Sequence, residues 1–228
     1  MHGDNSLLLD CIGPLVAPWL FGYTKLMKPA LSIICISLGM FAAGCTSSID
    51  RTISTYGAAG TPMTICSGFG CAIKDKMVFS ESDRNSFALA MDTADDANAE
   101  RAALRKTIGL MEAATRRNLR QRADNPFSYQ IDRGKRGQMD CEDESLNTTR
   151  YLTYLQAEGL LKFHKVNRHY ANRGVLLDGR YPHKSARIKA DDGSDWAVDP
   201  WKTATGGAAE VMPLKQWYRE RNSASQYE

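Results

Sequence analysis

The longest patterned stretch of the chain, Met77 to Arg122, repeats apolar positions with a helical period. Ala97, Arg101, Leu104, Ile108, Met111 and Thr115 follow one another at alternating steps of four and three, which places them on one helix face. Arg101 can lay its methylene stem along that stripe. The remaining Arg and Lys residues of 101–122 fall on the solvated face and carry no binding reading of their own. From Ala123 to Gly137 the period is lost, and Pro126, Gly134 and Gly137 predict a long loop. A second helix starts after Asp140, a good N-cap, with Asp143 placed as the partner of a capping box. Ser145, Leu152 and Leu155 would face inward, and Gly159 would stop the helix. Leu160–Arg168 then reads as a strand, and another begins near His183. The run RIKADDGSDWAVDPW predicts a hairpin turning at Asp191–Ser194. The expected fold class is α+β, with helices first and a small antiparallel sheet after them.

The N-terminal pattern is different. Met27 to Cys45 reads MKPALSIICISLGMFAAGC, a lysine followed by an apolar run too short to favour a spanning helix. This suits a secretory signal over 27–44. Ala42, Ala43 and Gly44 leading into Cys45 resemble a bacterial lipobox, which implies cleavage before Cys45 and lipidation of its thiol. Thr46 after the cysteine implies sorting to the outer membrane, facing the periplasm. Residues 1–26 read as an upstream extension with Met27 as the start, 45–60 as a Ser/Thr/Gly/Ala-rich tether, and 61–228 as one domain. No second apolar stretch reaches spanning length.

The net charge of +3 is spread over mixed signs, so nothing argues for a nucleic-acid partner. Cys66 and Cys71, in TICSGFGCAI, have two glycines between them and form the natural disulfide of an oxidising compartment. Its use would be to pin the start of the domain. A redox-exchange role is a weaker reading, because the spacing is not CxxC. The segment offers too few Cys or His ligands for a metal, and no cofactor is expected.

That leaves Cys141, in QMDCEDES, outside the disulfide. It is followed by His183 in RYPHKSARI and Asp199 in DWAVDPW. A thiol needs a base to become a nucleophile, and an imidazole needs a partner to fix its tautomer. Nucleophile, base and orienting carboxylate stand here in that order. The start of a helix favours a thiolate at Cys141, while Glu142, Asp143 and Glu144 oppose it, so an imidazole is required. A tight hairpin register would put Asp199 nearer Ala186, so a His183–Asp199 contact needs twist, a bulge or a diagonal arrangement. His164 and His169 are alternatives to His183, one as a strand residue and one exposed. Trp196, Trp201 and Trp217 read as core or pocket wall. Each triad member also has an ordinary structural reading, Cys141 as a small buried hydrophobe.

A cysteine opening a helix, a histidine opening a strand and the segment DGSDWAVDPW together resemble the transglutaminase-like cysteine peptidase superfamily. The resemblance covers Gln138 to Trp201, with Lys184 and Ser185 departing from the small and aromatic residues frequent after the histidine. It implies a papain-like core, with the nucleophile at a helix N-terminus packed on a small antiparallel sheet. It also implies Cys141 as nucleophile, His183 as base and acid, and Asp199 as orienter. An acyl-thioester would be formed on a peptide or protein amide substrate and resolved by water or a second amine. Oxyanion donors would be the Cys141 backbone N–H and a group at Gln138 or in the preceding loop. The competing expectation is a catalytically silent envelope lipoprotein that binds a peptide or protein partner.

Overall fold

The helical pattern that begins at Met77 folds as two helices, α1 (Glu81–Asp92) and α2 (Ala97–Leu119), and not as one. Two caps explain the break. Ser80 starts α1 with a complete capping box to Asp83, and Asp96 starts α2 by accepting from the Ala99 N–H. The computed structural model describes residues 60–128, 130–174 and 182–220. All of them belong to one compact unit, Phe41–Glu228. The expected upstream extension, the leader, the lipidation site Cys45 and the tether as far as residue 59 lie outside the described residues.

The third helix, α3 (Cys141–Ala157), opens at the cysteine, and Asp140 caps it by accepting from the Glu142 and Asp143 N–H groups. Asp143 does not close a capping box. Its two oxygens instead accept from Phe69 and Cys71, more than seventy residues away in sequence. Gly159, with φ +71, ends the helix as expected.

Among the described residues, six strands form two antiparallel sheets: β1 (Met63–Ser67) with β2 (Ile73–Met77), and β3 (His164–Arg173), β4 (His183–Ala190), β5 (Asp195–Asp199) and β6 (Glu210–Pro213) in that order. The first strand after α3 starts later than Leu160. Glu100 of α2 captures the N–H groups of Lys162 and Phe163, so they cannot join a ladder. A short helix, α4 (Leu214–Trp217), closes the described chain, and a 3-10 turn occupies Gln130–Asp132. The architecture is α+β.

One face of the four-stranded sheet, through Ala186, Ile188 and Val198, packs on Leu104, Ile108 and Met111 of α2 and Leu152 and Leu155 of α3. The other face, through Ala171 and Ala197, packs on Leu214 and Trp217. Of the predicted α2 stripe, Leu104, Ile108, Met111 and Thr115 are buried, while Arg101 lays its guanidinium 3.8 Å over the Trp196 ring. Gly109 is needed for close approach, since a Cβ there would meet the Gly207 carbonyl at 2.3 Å. The loop 203–207 is thereby seated on α2. Among the described residues, no helix is long and apolar enough to cross a membrane.

Candidate functional site

His183 is the first residue of β4, and Asp199 is the last of β5. Their strands pair with Ala186 opposite Val198. Continuing that register sets Asp199 across from Ser185, one diagonal step from His183 on the same face. The diagonal is closed by a hydrogen bond between His183 Nε2 and Asp199 Oδ2 at 2.6 Å. Both side chains are buried. An ionised carboxylate only accepts, so Nε2 carries the proton and Nδ1 presents its lone pair. Nδ1 is buried, with no hydrogen-bond partner among the described residues.

Asp199 is well supplied with donors. Beside His183, Trp217 Nε1–H donates to Oδ2 at 2.7 Å, and the Trp201 backbone N–H donates to Oδ1 at 3.3 Å. Burial works to raise the Asp199 carboxyl, but the electrostatic pull of the adjoining His183 ring and these hydrogen bonds together hold it below the ordinary aspartate range.

Cys141 stays a thiol and is 3% exposed. It packs with Phe127 and Trp201. The Trp201 ring meets Phe127 edge-on at 4.9 Å and tilts against His183 at 4.5 Å, so one indole touches the surroundings of both thiol and imidazole. The residues next in sequence are joined directly. Lys184 Nζ donates to Glu142 Oε2 at 3.1 Å, and both side chains are buried. The start of α3 is thus tied to the start of β4.

The acids around Cys141 are largely neutralised. Glu142 has Lys184. Burial, followed by the charges of Asp124 and Glu112, pushes Glu144 far above the ordinary glutamate range, so it is protonated. Burial and then Asp140 push Asp143 up to about 8, against the backbone N–H groups of Cys71 and Phe69. The opposition to a thiolate expected from three consecutive carboxylates is therefore much reduced.

Gln138 lies buried just before the helix. Its Nε2 donates to the Ala123 carbonyl at 2.7 Å, and its Oε1 accepts from the Asn125 N–H at 3.4 Å. One amide hydrogen is committed to that loop, and the second has no hydrogen-bond acceptor among the described residues.

Cys66 and Cys71 are paired as a disulfide. Gly68, Phe69, Gly70 and Cys71 all have positive φ, so their N–H groups turn inward, where Asp143 and Asp140 accept three of them. Asn147 brackets Cys66 by accepting from its N–H and donating to its carbonyl, both at 2.8 Å. The disulfide loop is in this way fastened to the first turns of α3. Cys66, Cys71 and Asp143 form the one group with metal-ligand spacing among the described residues, but the disulfide consumes both sulfurs.

The alternative histidines have other places. His164 is buried, with Nδ1 on Glu100 Oε1 at 2.7 Å and Nε2 beside Arg101 Nη1 at 3.0 Å, and His169 is exposed. Sequence reasoning missed three features near the site: the indole donor at Trp217, the Glu142–Lys184 pair, and the buried carboxyls Glu112, Asp124 and Glu144. An uncompensated lysine after the histidine and an acidic run after the cysteine were the available signals for the second. No family model, no curated protein and no solved structure matches the chain.

Proposed function

We propose that the chain is a thiol enzyme of the transglutaminase-like cysteine peptidase type, with a papain-like core, acting on amide bonds of a peptide or protein. One observation carries the reading. A buried imidazole is oriented by a buried carboxylate through Nε2, its Nδ1 has no hydrogen-bond partner among the described residues, and the Trp201 ring that lies against it also packs on Cys141. A buried acceptor without a donor is costly, and a thiol S–H is the donor that chemistry would supply.

In this mechanism His183 Nδ1 takes the Cys141 proton, and the thiolate attacks the amide carbonyl. The C–S bond forms, the imidazolium protonates the departing amine, and the C–N bond breaks. Water, deprotonated by His183, then attacks the thioester; the C–S bond breaks, the acyl group leaves as the carboxylic acid, and the proton held by His183 regenerates the Cys141 thiol. A second amine in place of water would make the enzyme a transamidase. The developing oxyanion would be met by the Cys141 backbone N–H and the second amide hydrogen of Gln138. Hydrolysis is the default, since nothing in the sequence marks an acceptor-amine site. The leader at 27–44 and lipidation at Cys45 would place the enzyme on the outer membrane facing the periplasm, where a Cys66–Cys71 disulfide persists.

A second reading, a silent peptide- or protein-binding lipoprotein, is favoured by the cover over the thiol. Cys141 is 3% exposed and His183 0%, so Phe127 and Trp201 must move before a substrate reaches sulfur. The pH dependence of iodoacetamide alkylation at Cys141, read by mass spectrometry on the full chain in detergent, separates the two. The enzyme reading expects reaction well below the ordinary thiol pKa of about 8.5, abolished in His183→Ala. A thiol that titrates ordinarily or stays inert in both proteins overturns it and leaves the binder.

A further inference from the structure

The C-terminal helix holds one side chain at the heart of the proposed site. Trp217 is fully buried on a helix of only four residues, outside the segment that carries the family resemblance. Its indole N–H reaches the same Asp199 oxygen that bonds His183, at 2.7 Å, and its ring lies 5.5 Å from the imidazole. So short a helix cannot hold itself in place.

It is held by Arg173, the last residue of β3 and the cross-strand partner of His183. Arg173 Nη1 donates to the carbonyls of Trp217 and Glu220, at 2.8 and 2.9 Å, and its guanidinium lies 4.8 Å over the Trp217 ring. Lys202 adds a second tie, to the carboxylates of Glu210 and Glu220.

We propose that Trp217, clamped by Arg173, is a positioning residue that fixes the Asp199 carboxylate and through it the Nε2–H tautomer of His183. The inference rests on the triad reading for its bearing on catalysis. Its physical basis is the nature of the donor. An indole N–H can only donate, so it stabilises Asp199 as an acceptor and opposes rotation of the carboxylate. Oδ2 accepts from both rings at once, so the carboxylate cannot turn without losing two charge-assisted bonds together. The charged or titratable neighbours are His183 from β4, Glu144 from α3 and the Arg173 cation across the indole.

The test labels the full chain, in detergent, with 15N-histidine and follows the His183 ring nitrogens against pH, assigned by their loss in His183→Ala. Trp217→Phe keeps an aromatic ring and removes the N–H. In the wild type, one nitrogen should report the Nε2–H form throughout the neutral range. In Trp217→Phe the two tautomers should mix, and Cys141 alkylation at pH 6 should fall about tenfold, the worth of one hydrogen bond to a charged group.

Should Trp217→Phe fail to fold, a benzothiophene analogue of tryptophan at this position alone keeps the bicyclic ring without the N–H. Arg173→Met loosens the clamp by another route. Unchanged ring shifts and alkylation alongside a lowered Tm would reduce Trp217 to packing and overturn the proposal. Changed ring shifts in a protein whose Cys141 ignores His183 would uphold the Trp217–Asp199–His183 relay and sink the thiol-enzyme reading instead.

Discussion

Asp199 is the residue on which the site's geometry turns. Its carboxylate is fully buried, and such a charge persists only because two ring N–H groups and one backbone N–H surround it. Replacing one oxygen by NH2 reverses part of that pattern, because an amide nitrogen cannot accept from an indole or an imidazole. Asp199→Asn should therefore keep the fold and misplace the imidazole proton. The thiol-enzyme reading expects Cys141 alkylation at pH 6, or turnover of a substrate once found, to fall by about 10²–10⁴, the usual contribution of a positioned base. The same residue has a stability signature. Its folded-state pKa lies below the ordinary value, so its contribution is present above about pH 4 and lost as pH falls through the folded value. Acid unfolding followed by tryptophan fluorescence should show that loss in the wild type and a flatter acid limb in Asp199→Asn. Equal limbs would mean that Asp199 carries no such charge.

Among the elements, the joint between α3 and β4 matters most, because one begins with Cys141 and the other with His183. The Glu142–Lys184 pair spans that joint in a buried setting. Removing one member takes from the other its buried ion-pair partner. Lys184→Met should accordingly cost about 3–5 kcal/mol, whereas the double change Glu142→Met with Lys184→Met should recover most of it. Urea unfolding of the two single variants and the double variant measures the coupling, and additive losses would show that the pair does not interact. What could be read from the sequence follows the same division between local and distant causes. Asp140 as cap, the turn at Asp191–Ser194 and the opening of a strand at His183 all rest on neighbouring residues, and each falls where the pattern puts it. The helix break at 93–96 was also local, with Asp96 a ready N-cap, but the continuous period on either side obscured it. The late start of β3 was not readable. It depends on Glu100 reaching across more than sixty positions to Lys162 and Phe163. Nor were the true roles of Asp143 and Trp217, whose partners are equally set by tertiary packing.

Across the whole molecule, three carboxyls from different parts of the chain meet behind the site. Glu112 of α2 accepts the Gly206 N–H, and Asp124 of the long loop accepts from Met139 N–H and Ser128 Oγ. Glu144 of α3 shares a hydrogen bond with Asp124, which two carboxyls can make only around a proton. Burial, with the charge of Asp124 behind it, pushes Glu112 up to about 8. Burial also raises Asp124 to about 6, against its hydrogen bonds, and lifts Glu144 well above its ordinary value. These groups bind protons more tightly folded than unfolded. Their contribution to stability is thus fully present below the unfolded carboxyl pKa of about 4 and is lost as pH rises through the folded values. The loss begins at about pH 4 and runs up to about 6 for Asp124 and up to about 8 for Glu112. The protein should melt progressively lower across that window, where an ordinary domain holds level. For a chain of this size each kcal/mol lost lowers Tm by about 2–4 °C. Glu144→Gln keeps the shape and a donor for Asp124 while removing a proton that can be lost, so its Tm should fall less between pH 6 and 9 and exceed the wild type's at the alkaline end. The loop bearing Asp124 also bears Phe127, which covers Cys141. Iodoacetamide should therefore reach Cys141 faster at pH 9 than its thiolate fraction predicts in the wild type, and this excess should shrink in Glu144→Gln. Parallel melting curves in the two proteins would show that the three carboxyls titrate normally and that the loop is held by packing alone.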